Sequence, residues 1–240
     1  MRGSSVIELM VTMVLLSLLM GAAYSSVIAQ MRSHATQTLV SETMLAARSA
    51  LSVLADQVEL AGFGVPTANL PSTAPSLIRA EASRLSFWTN VTTTHTYLTA
   101  KARKNASLIK VVSAAGLATG SRVYITDTVD WYRGTVSSVD GLSNTVHVTP
   151  ALSYDFGEGS FVTPIEQVTF ELVGNALQRN GRLFIPNVSQ LRFTYDATDL
   201  RAIRVISIAL DVQTRAADVN RGKKITVSVA TEVAPPNLAL

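Results

Sequence analysis

A single carboxylate, Glu8, lies at the start of an otherwise uncharged apolar run from Leu9 to Ala29. A carboxylate within a membrane-spanning stretch costs about 2.5–3.5 kcal/mol on insertion scales, so it requires a cationic partner or a position near the membrane interface. If the chain is cut between Gly3 and Ser4, Ser4 becomes the new terminus and Glu8 the fifth residue. The free α-amino group of a neighbouring copy then neutralises the carboxylate in low dielectric and sets the axial register between subunits.

Two other interpretations of the first thirty residues remain open. In the first, Arg2 is the basic region of a secretory signal peptide, and Gly21-Ala22-Ala23 is its small-residue cleavage site. In the second, the apolar run is a plain signal anchor that holds a domain at the membrane. The signal peptide puts Glu8 where a carboxylate is unfavourable, and the anchor gives it no function. Pairing between copies is the interpretation that accounts for Glu8.

The segment Gly3-Ser4-Ser5-Val6-Ile7-Glu8-Leu9-Met10-Val11 resembles the processing site of type IV prepilins and of type II secretion pseudopilins. The resemblance implies that a dedicated membrane peptidase cuts after Gly3 and methylates the new terminus at Ser4. It also implies that Glu8 is the residue on which subunit assembly depends. Ser4 departs from the family, which usually has phenylalanine there. The leader of three residues is short, which leaves open a start codon upstream of Met1.

No other residues form a recognisable catalytic or ligand-binding pattern. The chain has no Cys, which excludes disulfides, thiolate metal sites and cysteine nucleophiles. His34, His95 and His147 each lack a second His or acidic residue at ligand spacing. The tripeptide Asp155-Phe156-Gly157 matches a kinase motif, but the kinase catalytic and glycine-rich loops are missing. We therefore predict no enzyme activity, no metal and no cofactor.

The net charge of the chain gives no indication that it binds a polyanionic partner. The formal net charge is +3 over 240 residues. Two short basic clusters, Lys101 with Arg103 and Lys104, and Arg221 with Lys223 and Lys224, fall in predicted loops, where such runs are usually solvated. The sequence therefore does not favour nucleic acid as a partner.

The element that must position Glu8 is a long helix. The 21 residues from Leu9 to Ala29 would span about 32 Å as a helix, enough to cross a hydrocarbon core. No Pro precedes Pro66, and Gly62 with Gly64 provide a stop. We predict one helix from about residue 4 to residue 60, roughly 85 Å long.

The second half of this helix is amphipathic. Its apolar positions recur at alternating spacings of four and three residues, at Val40, Met44, Ala47, Leu51, Leu54, Val58 and Ala61. A coiled-coil stalk is the alternative, but the stripe is short and the flanking charges are sparse. We expect the stripe to pack against a β-sheet of the same chain.

After the helix the pattern changes to strands. Residues 65–76, rich in Pro, Ser, Thr and Ala, are predicted as a loop. The predicted strands are Arg84–Thr89, Leu108–Val112, Arg122–Thr126, Gly134–Val139, Thr145–Thr149, Glu166–Val173, Arg192–Tyr195, Arg204–Gln213 and Lys224–Val233. Asn180-Gly181 and Arg221-Gly222 are candidate hairpin turns. The predicted fold class is α+β and pilin-like, with one long N-terminal helix packed on a mostly antiparallel β-sheet.

The predicted organisation starts with a leader at residues 1–3, a membrane or filament-core helix at 4–30 and its amphipathic continuation at 31–62. A loop and the first strands follow at 63–100, an additional β-rich module at 101–161, and the C-terminal sheet at 162–240. We expect the module to pack on the main sheet because it has few large aromatic residues. Trp131 and Tyr132 could form its core or an exposed contact, and we expect them in the core.

Later segments resemble minor pilins of the W type, the pilus counterparts of the J-type pseudopilins. One is the helix exit, in which Asp56 precedes Ala61-Gly62-Phe63-Gly64. The others are C-terminal: Val168–Leu172, Leu177–Arg179, Asn187–Asp196 and Ile203–Leu210. The resemblance implies a minor pilin that primes or caps a type IV pilus.

The same resemblance implies the partners and the location. The partners would be other minor pilins, the main pilin, the prepilin peptidase and the pilus assembly platform. The subunit would be anchored in the inner membrane through Leu9–Ala29, with its β-domain in the periplasm, before it enters a pilus at the cell surface. The alternatives are a J-type pseudopilin of a type II secretion system and a membrane-tethered adhesin or DNA-binding pilus component. The position in the filament, and a role in motility, adhesion or uptake, stay open.

Overall fold

In a computed structural model, described for residues 6–66, 76–127, 129–218 and 222–238, one long helix precedes the β-strands. The helix α1 spans Val6–Glu59. The strands are β1 Leu77–Glu81, β2 Arg84–Thr89, β3 Thr96–Tyr97, β4 Leu108–Lys110, β5 Arg122–Thr126, β6 Trp131–Asp140, β7 Thr145–Thr149, β8 Phe161–Val173, β9 Ala176–Arg179, β10 Arg182–Pro186, β11 Val188–Tyr195, β12 Ile206–Gln213 and β13 Thr226–Val233. A short 3-10 helix follows at Pro236–Leu238.

Helix α1 is continuous because its sequence contains nothing that breaks it. It has no Pro, and its one glycine, Gly21, lies in the apolar half. Its 54 residues correspond to about 81 Å at about 1.5 Å per residue. The predicted single helix is confirmed over the described residues.

The helix ends in a turn that contains two glycines with positive φ. Gly62 has a φ of +80° and Gly64 a φ of +75°, a region that disfavours other residues. Between them, the carbonyl oxygen of Phe63 accepts the backbone N–H of Asn90 at 2.8 Å. A Cβ atom at Gly64 would lie 2.8 Å from Cγ2 of Thr163 and 2.9 Å from Cβ of Asn90. The turn therefore fits closely against β8 and the end of β2.

The strands form two sheets, and every strand pair in the described residues is antiparallel. The larger sheet has ten strands in the order β1-β2-β8-β5-β6-β7-β4, with β3 and β9 also paired to β8, and β10 paired to β9. The smaller sheet has the order β11-β12-β13. One long helix on mostly antiparallel sheets is an α+β arrangement, so the predicted fold class is confirmed.

The main core joins the second half of α1 to both sheets. The helix packs on β12 and β13, and the core also includes buried side chains of the larger sheet, among them Leu85, Phe87 and Phe170. Each Leu or Phe buried in this way contributes about 1.5–3 kcal/mol. The helix is therefore held to the domain by burial of its apolar stripe.

A second core lies within the added β-rich segment. Its buried side chains, between Leu98 and Val162, are mostly aliphatic and include Ile109, Val123 and Val148. Strand β8 connects the two cores, because Val162 belongs to the second core whereas Val168 and Phe170 belong to the main core. The segment thus has a core of its own and joins the main sheet through β8.

The strands that sequence patterns did not indicate are short. They are β1, β3, β9 and β10, none longer than five residues. So few residues give too little alternation to detect. The predicted hairpin at Asn180-Gly181 does connect β9 to β10, with φ values of 51° and 75° that suit a tight turn. Arg221 of the other candidate turn lies outside the described residues.

Candidate functional site

The first half of α1 exposes an apolar surface along its whole length. From Leu9 to Ala29 every side chain is exposed except that of Ile28, which is half-buried. Leu19 is 68% exposed and Met20 66%. Within the described part of the chain, α1 is the one helix long and apolar enough to cross a membrane, by length and composition. The segment Gly21-Ala22-Ala23 lies in the middle of this surface.

Glu8 is exposed in the first turn of α1, where the positive end of the helix dipole stabilises a negative charge. It forms no salt bridge with any residue that the structure describes. The next basic residue along the helix is Arg32, about 36 Å away. No basic side chain of α1 can therefore neutralise Glu8. The predicted cleavage and methylation site, Gly3 and Ser4, lies outside the described residues.

The second half of α1 is attached to the domain over most of its length. The predicted packing residues fall into two groups: Ala47, Leu51, Leu54 and Val58 are buried in the main core, and Val40 and Met44 are half-buried. Nearer the apolar half, Oγ1 of Thr36 donates a hydrogen bond to Oδ1 of Asp218 at 2.7 Å. Asp218 is itself 3% exposed. The helix and the domain therefore form one unit from Thr36 to the glycine turn.

Two open grooves flank the packed half of the helix. One has a volume of about 530 Å³ and lies between Ala46, Ala50 and Val53 of α1 and Phe184 and Pro186 of β10. The other, of about 450 Å³, lies between the opposite side of the helix and β13. These grooves leave both sides of the helix open to neighbouring molecules.

In the part of the chain that the structure describes, the residues that could bind a metal do not form a cluster. Among the described residues, no group of three or more His, Asp or Glu side chains could hold a metal ion. Nε2 of His95 lies 3.2 Å from the hydroxyl of Tyr97. Asp155 accepts the backbone N–H of Lys104 at 2.7 Å and pairs with Nζ of Lys101 at 3.0 Å. These contacts hold the pKa of the Asp155 carboxyl below its usual range, and they stabilise a surface loop.

The structure instead brings together arginine and aromatic side chains from separate strands. The Cζ atoms of Arg122 in β5 and Arg133 in β6 lie 4.7 and 5.7 Å from the centre of the Trp88 ring. Trp88 is 5% exposed, whereas both arginines are exposed. Tyr124 is fully buried beside them, and burial raises the pKa of its hydroxyl while the neighbouring Arg133 opposes that change. The cluster is not evident from the sequence, because Trp88 meets the two arginines only through the pairing of β2 with β8, of β8 with β5 and of β5 with β6.

Trp131 and Tyr132 were both expected in the core of the added module, but they lie in different environments. Tyr132 is buried in the second core and its hydroxyl donates a hydrogen bond to the carbonyl oxygen of Pro150. Trp131 is half-buried and packs on the Tyr124 ring, with the ring centres 5.6 Å apart. Neighbouring strand positions point to opposite faces, which separates the two rings.

A scan against models of protein families found no match, and a search of curated proteins found none. The family resemblance therefore depends on the motif residues of the chain itself.

Proposed function

We propose that this chain is a minor subunit of a type IV filament, made as a membrane-anchored precursor and cut after Gly3. The observation that carries the proposal is the continuity of α1. Its exposed apolar half and its packed half form one uninterrupted helix of 54 residues. A tether needs no such rigidity, whereas a filament subunit needs its core helix and its outer domain in a fixed relation.

The exposed apolar surface of Leu9–Ala29 must be removed from water. A bilayer can cover it before assembly, because about 32 Å of helix matches a hydrocarbon core. After assembly, the same helices of neighbouring subunits can replace the lipid. Gly21-Ala22-Ala23 supports this step because small residues let helices approach closely.

Glu8 is the residue that distinguishes assembly from simple anchoring. It lies at the start of the apolar surface, and no basic side chain of α1 can reach it. In a bundle of helices, the amino terminus of the adjacent subunit can supply the missing positive charge. Because the interaction is strong only when both groups are excluded from water, it favours one axial register over others.

The location and partners follow from the proposal. The subunit would begin in the inner membrane with its β-domain outside the cytoplasm, and would then enter the filament with other minor pilins and the main pilin. The two grooves beside the packed half of α1 provide surfaces on either side for such neighbours. The assembly platform and the prepilin peptidase would act before that step.

The test is a comparison of Glu8→Ala with Glu59→Ala, which removes the same side chain at the other end of the same helix. Both variants are expected in the membrane fraction at the level of the unmodified chain. Glu8→Ala should be cleaved but absent from sheared filaments, Glu59→Ala should enter them, and Glu8→Asp should recover part of the incorporation. Normal entry of Glu8→Ala into filaments would contradict the proposed role of the carboxylate.

A further inference from the structure

The connection between β12 and β13 contacts α1 close to the end of its apolar run. Oγ1 of Thr36 donates a hydrogen bond to Oδ1 of Asp218 at 2.7 Å. Thr36 follows Ala29, the last residue of the apolar run, by seven positions, which is about 10 Å along the helix. The backbone N–H of Asp218 donates to the carbonyl oxygen of Lys223 at 2.8 Å. Both sides of this connection therefore lie at the level of Thr36.

This level is close to the surface of any bilayer that α1 crosses. The polar headgroup layer extends about 5–8 Å beyond the hydrocarbon core on each side. When Leu9–Ala29 fills that core, Thr36 lies at most about 5 Å beyond the headgroups. That distance is shorter than the Debye length of about 8 Å at physiological ionic strength, so salt screens charges at this level only partly from lipid phosphates.

The exposed charges at this end of the domain are positive. Four exposed basic side chains form what we call the basic rim: Arg32, Arg215, Lys223 and Lys224. None of them forms a salt bridge with a residue that the structure describes. Asp218 is only 3% exposed, and its carboxylate accepts the hydroxyl of Thr36. The next carboxylate along α1, that of Glu42, lies six residues beyond Thr36 and further from the apolar run.

We propose that the basic rim binds anionic lipid headgroups and so holds the β-domain against the bilayer. Each Lys or Arg close to an anionic membrane surface raises the affinity roughly fivefold. The flexible stems of the lysines allow their ammonium groups to extend towards the phosphates. Short basic runs in loops are usually solvated, but the contact between Asp218 and Thr36 places this one beside the bilayer.

Lipid is the favoured anion because of where the rim lies. An acidic protein segment could also neutralise four cations, but the helix that carries Arg32 enters the bilayer directly below them. The anions that are always present at that level are lipid phosphates. The inference rests on the membrane anchor of the proposed function, and not on entry into a filament.

The experiment uses the full chain reconstituted in vesicles of phosphatidylcholine and phosphatidylglycerol. Because the chain has no Cys, Ala217→Cys provides a single site for a donor fluorophore, and Ala217 is exposed within the connection. Energy transfer is measured to traces of phosphatidylglycerol or of phosphatidylcholine that carry the same acceptor on an acyl chain. Transfer to the phosphatidylglycerol acceptor should be the greater, and high salt should abolish the difference.

Two pairs of substitutions separate the rim from the net charge. Lys223→Gln with Lys224→Gln should remove most of the difference between the two acceptors. Arg103→Gln with Lys104→Gln removes the same charge from the added module, which joins the domain beside the far end of α1, where Gly64 packs on Thr163. This matched control should leave the difference unchanged.

Equal transfer to the two acceptors would overturn the proposal, as would a control variant that loses as much as the lysine variant. Loss of the difference when inorganic phosphate is added at constant ionic strength would also overturn it, because the rim would then be a site for free phosphate. Flotation of the vesicles reports the anchor separately. A chain that floats with the vesicles but shows no preference contradicts this inference alone, whereas a chain that does not float contradicts the membrane anchor as well.

Discussion

Gly64→Ala should be unusually destabilising for a substitution that adds one methyl group. The residue has a φ of +75°, and a left-handed backbone costs a residue with a Cβ about 1–2 kcal/mol. The new Cβ would also lie 2.8 Å from a side-chain carbon of Thr163 and 2.9 Å from Cβ of Asn90. Relieving such overpacking typically costs a further 1–3 kcal/mol. We expect a total loss of about 2–5 kcal/mol from the free energy of unfolding.

The matched control is Gly174→Ala in the turn between β8 and β9. Gly174 has a φ of +59°, and a Cβ there would meet nothing within 4 Å, so this variant carries the backbone cost alone. Urea unfolding of the full chain in detergent, followed by tryptophan fluorescence, measures both variants. Gly64→Ala should be less stable than Gly174→Ala by about 1–3 kcal/mol. Equal stabilities would refute the inference that the helix exit fits closely against β8 and the end of β2.

Two further predictions concern the cores. Leu54 has no exposed surface, so Leu54→Ala should lower the free energy of unfolding in urea by about 2–5 kcal/mol. Leu45 is 68% exposed, so Leu45→Ala should change it by no more than about 0.5 kcal/mol. Similar losses in the two variants would show that the apolar stripe of α1 is not packed. Burial raises the pKa of Tyr132 from its usual 10.0 to about 12, so its contribution to stability is complete below pH 10 and is lost as the pH rises towards 12. The free energy of unfolding should therefore fall less steeply between pH 9 and 12 in Tyr132→Phe than in the unmodified chain. Part of the fall should remain, because burial also raises the pKa values of Tyr124 and Tyr195. An unchanged slope would contradict the inference that burial raises the pKa of Tyr132.

The long helix and most of the long strands could be predicted because their signals are local. Helix α1 has an unbroken apolar run followed by a stripe at helical spacing, and two glycines mark its end. Strands such as β12, with strict alternation of burial, carry the same kind of signal. In each case the residues that determine the element lie within it.

The strands β4 to β7 of the added module were predicted in the same way, but its separate core was not. That core is assembled from several strands and the loops between them, so no single stretch shows that it exists. The proximity of Arg122 and Arg133 depends on the register of β5 and β6, in which Tyr124 is paired with Arg133. Phe161 and Tyr97 are brought together in the same way, through the pairing of β3 with β8.

Glu8 was identified because its residue type conflicts with its surroundings. A carboxylate beside an apolar run of 21 residues needs an explanation whatever the fold. The structure adds that α1 itself holds no basic residue close enough to neutralise it. A partner for the carboxylate is thus sought in a second molecule.

The most direct test of the account is the mass of the amino-terminal peptide of the protein isolated from its native membrane. The account predicts a chain that begins at Ser4, with one methyl group on its α-amino nitrogen, and that retains the whole apolar run. A chain that begins at Met1, or one cut after Ala23, would contradict it.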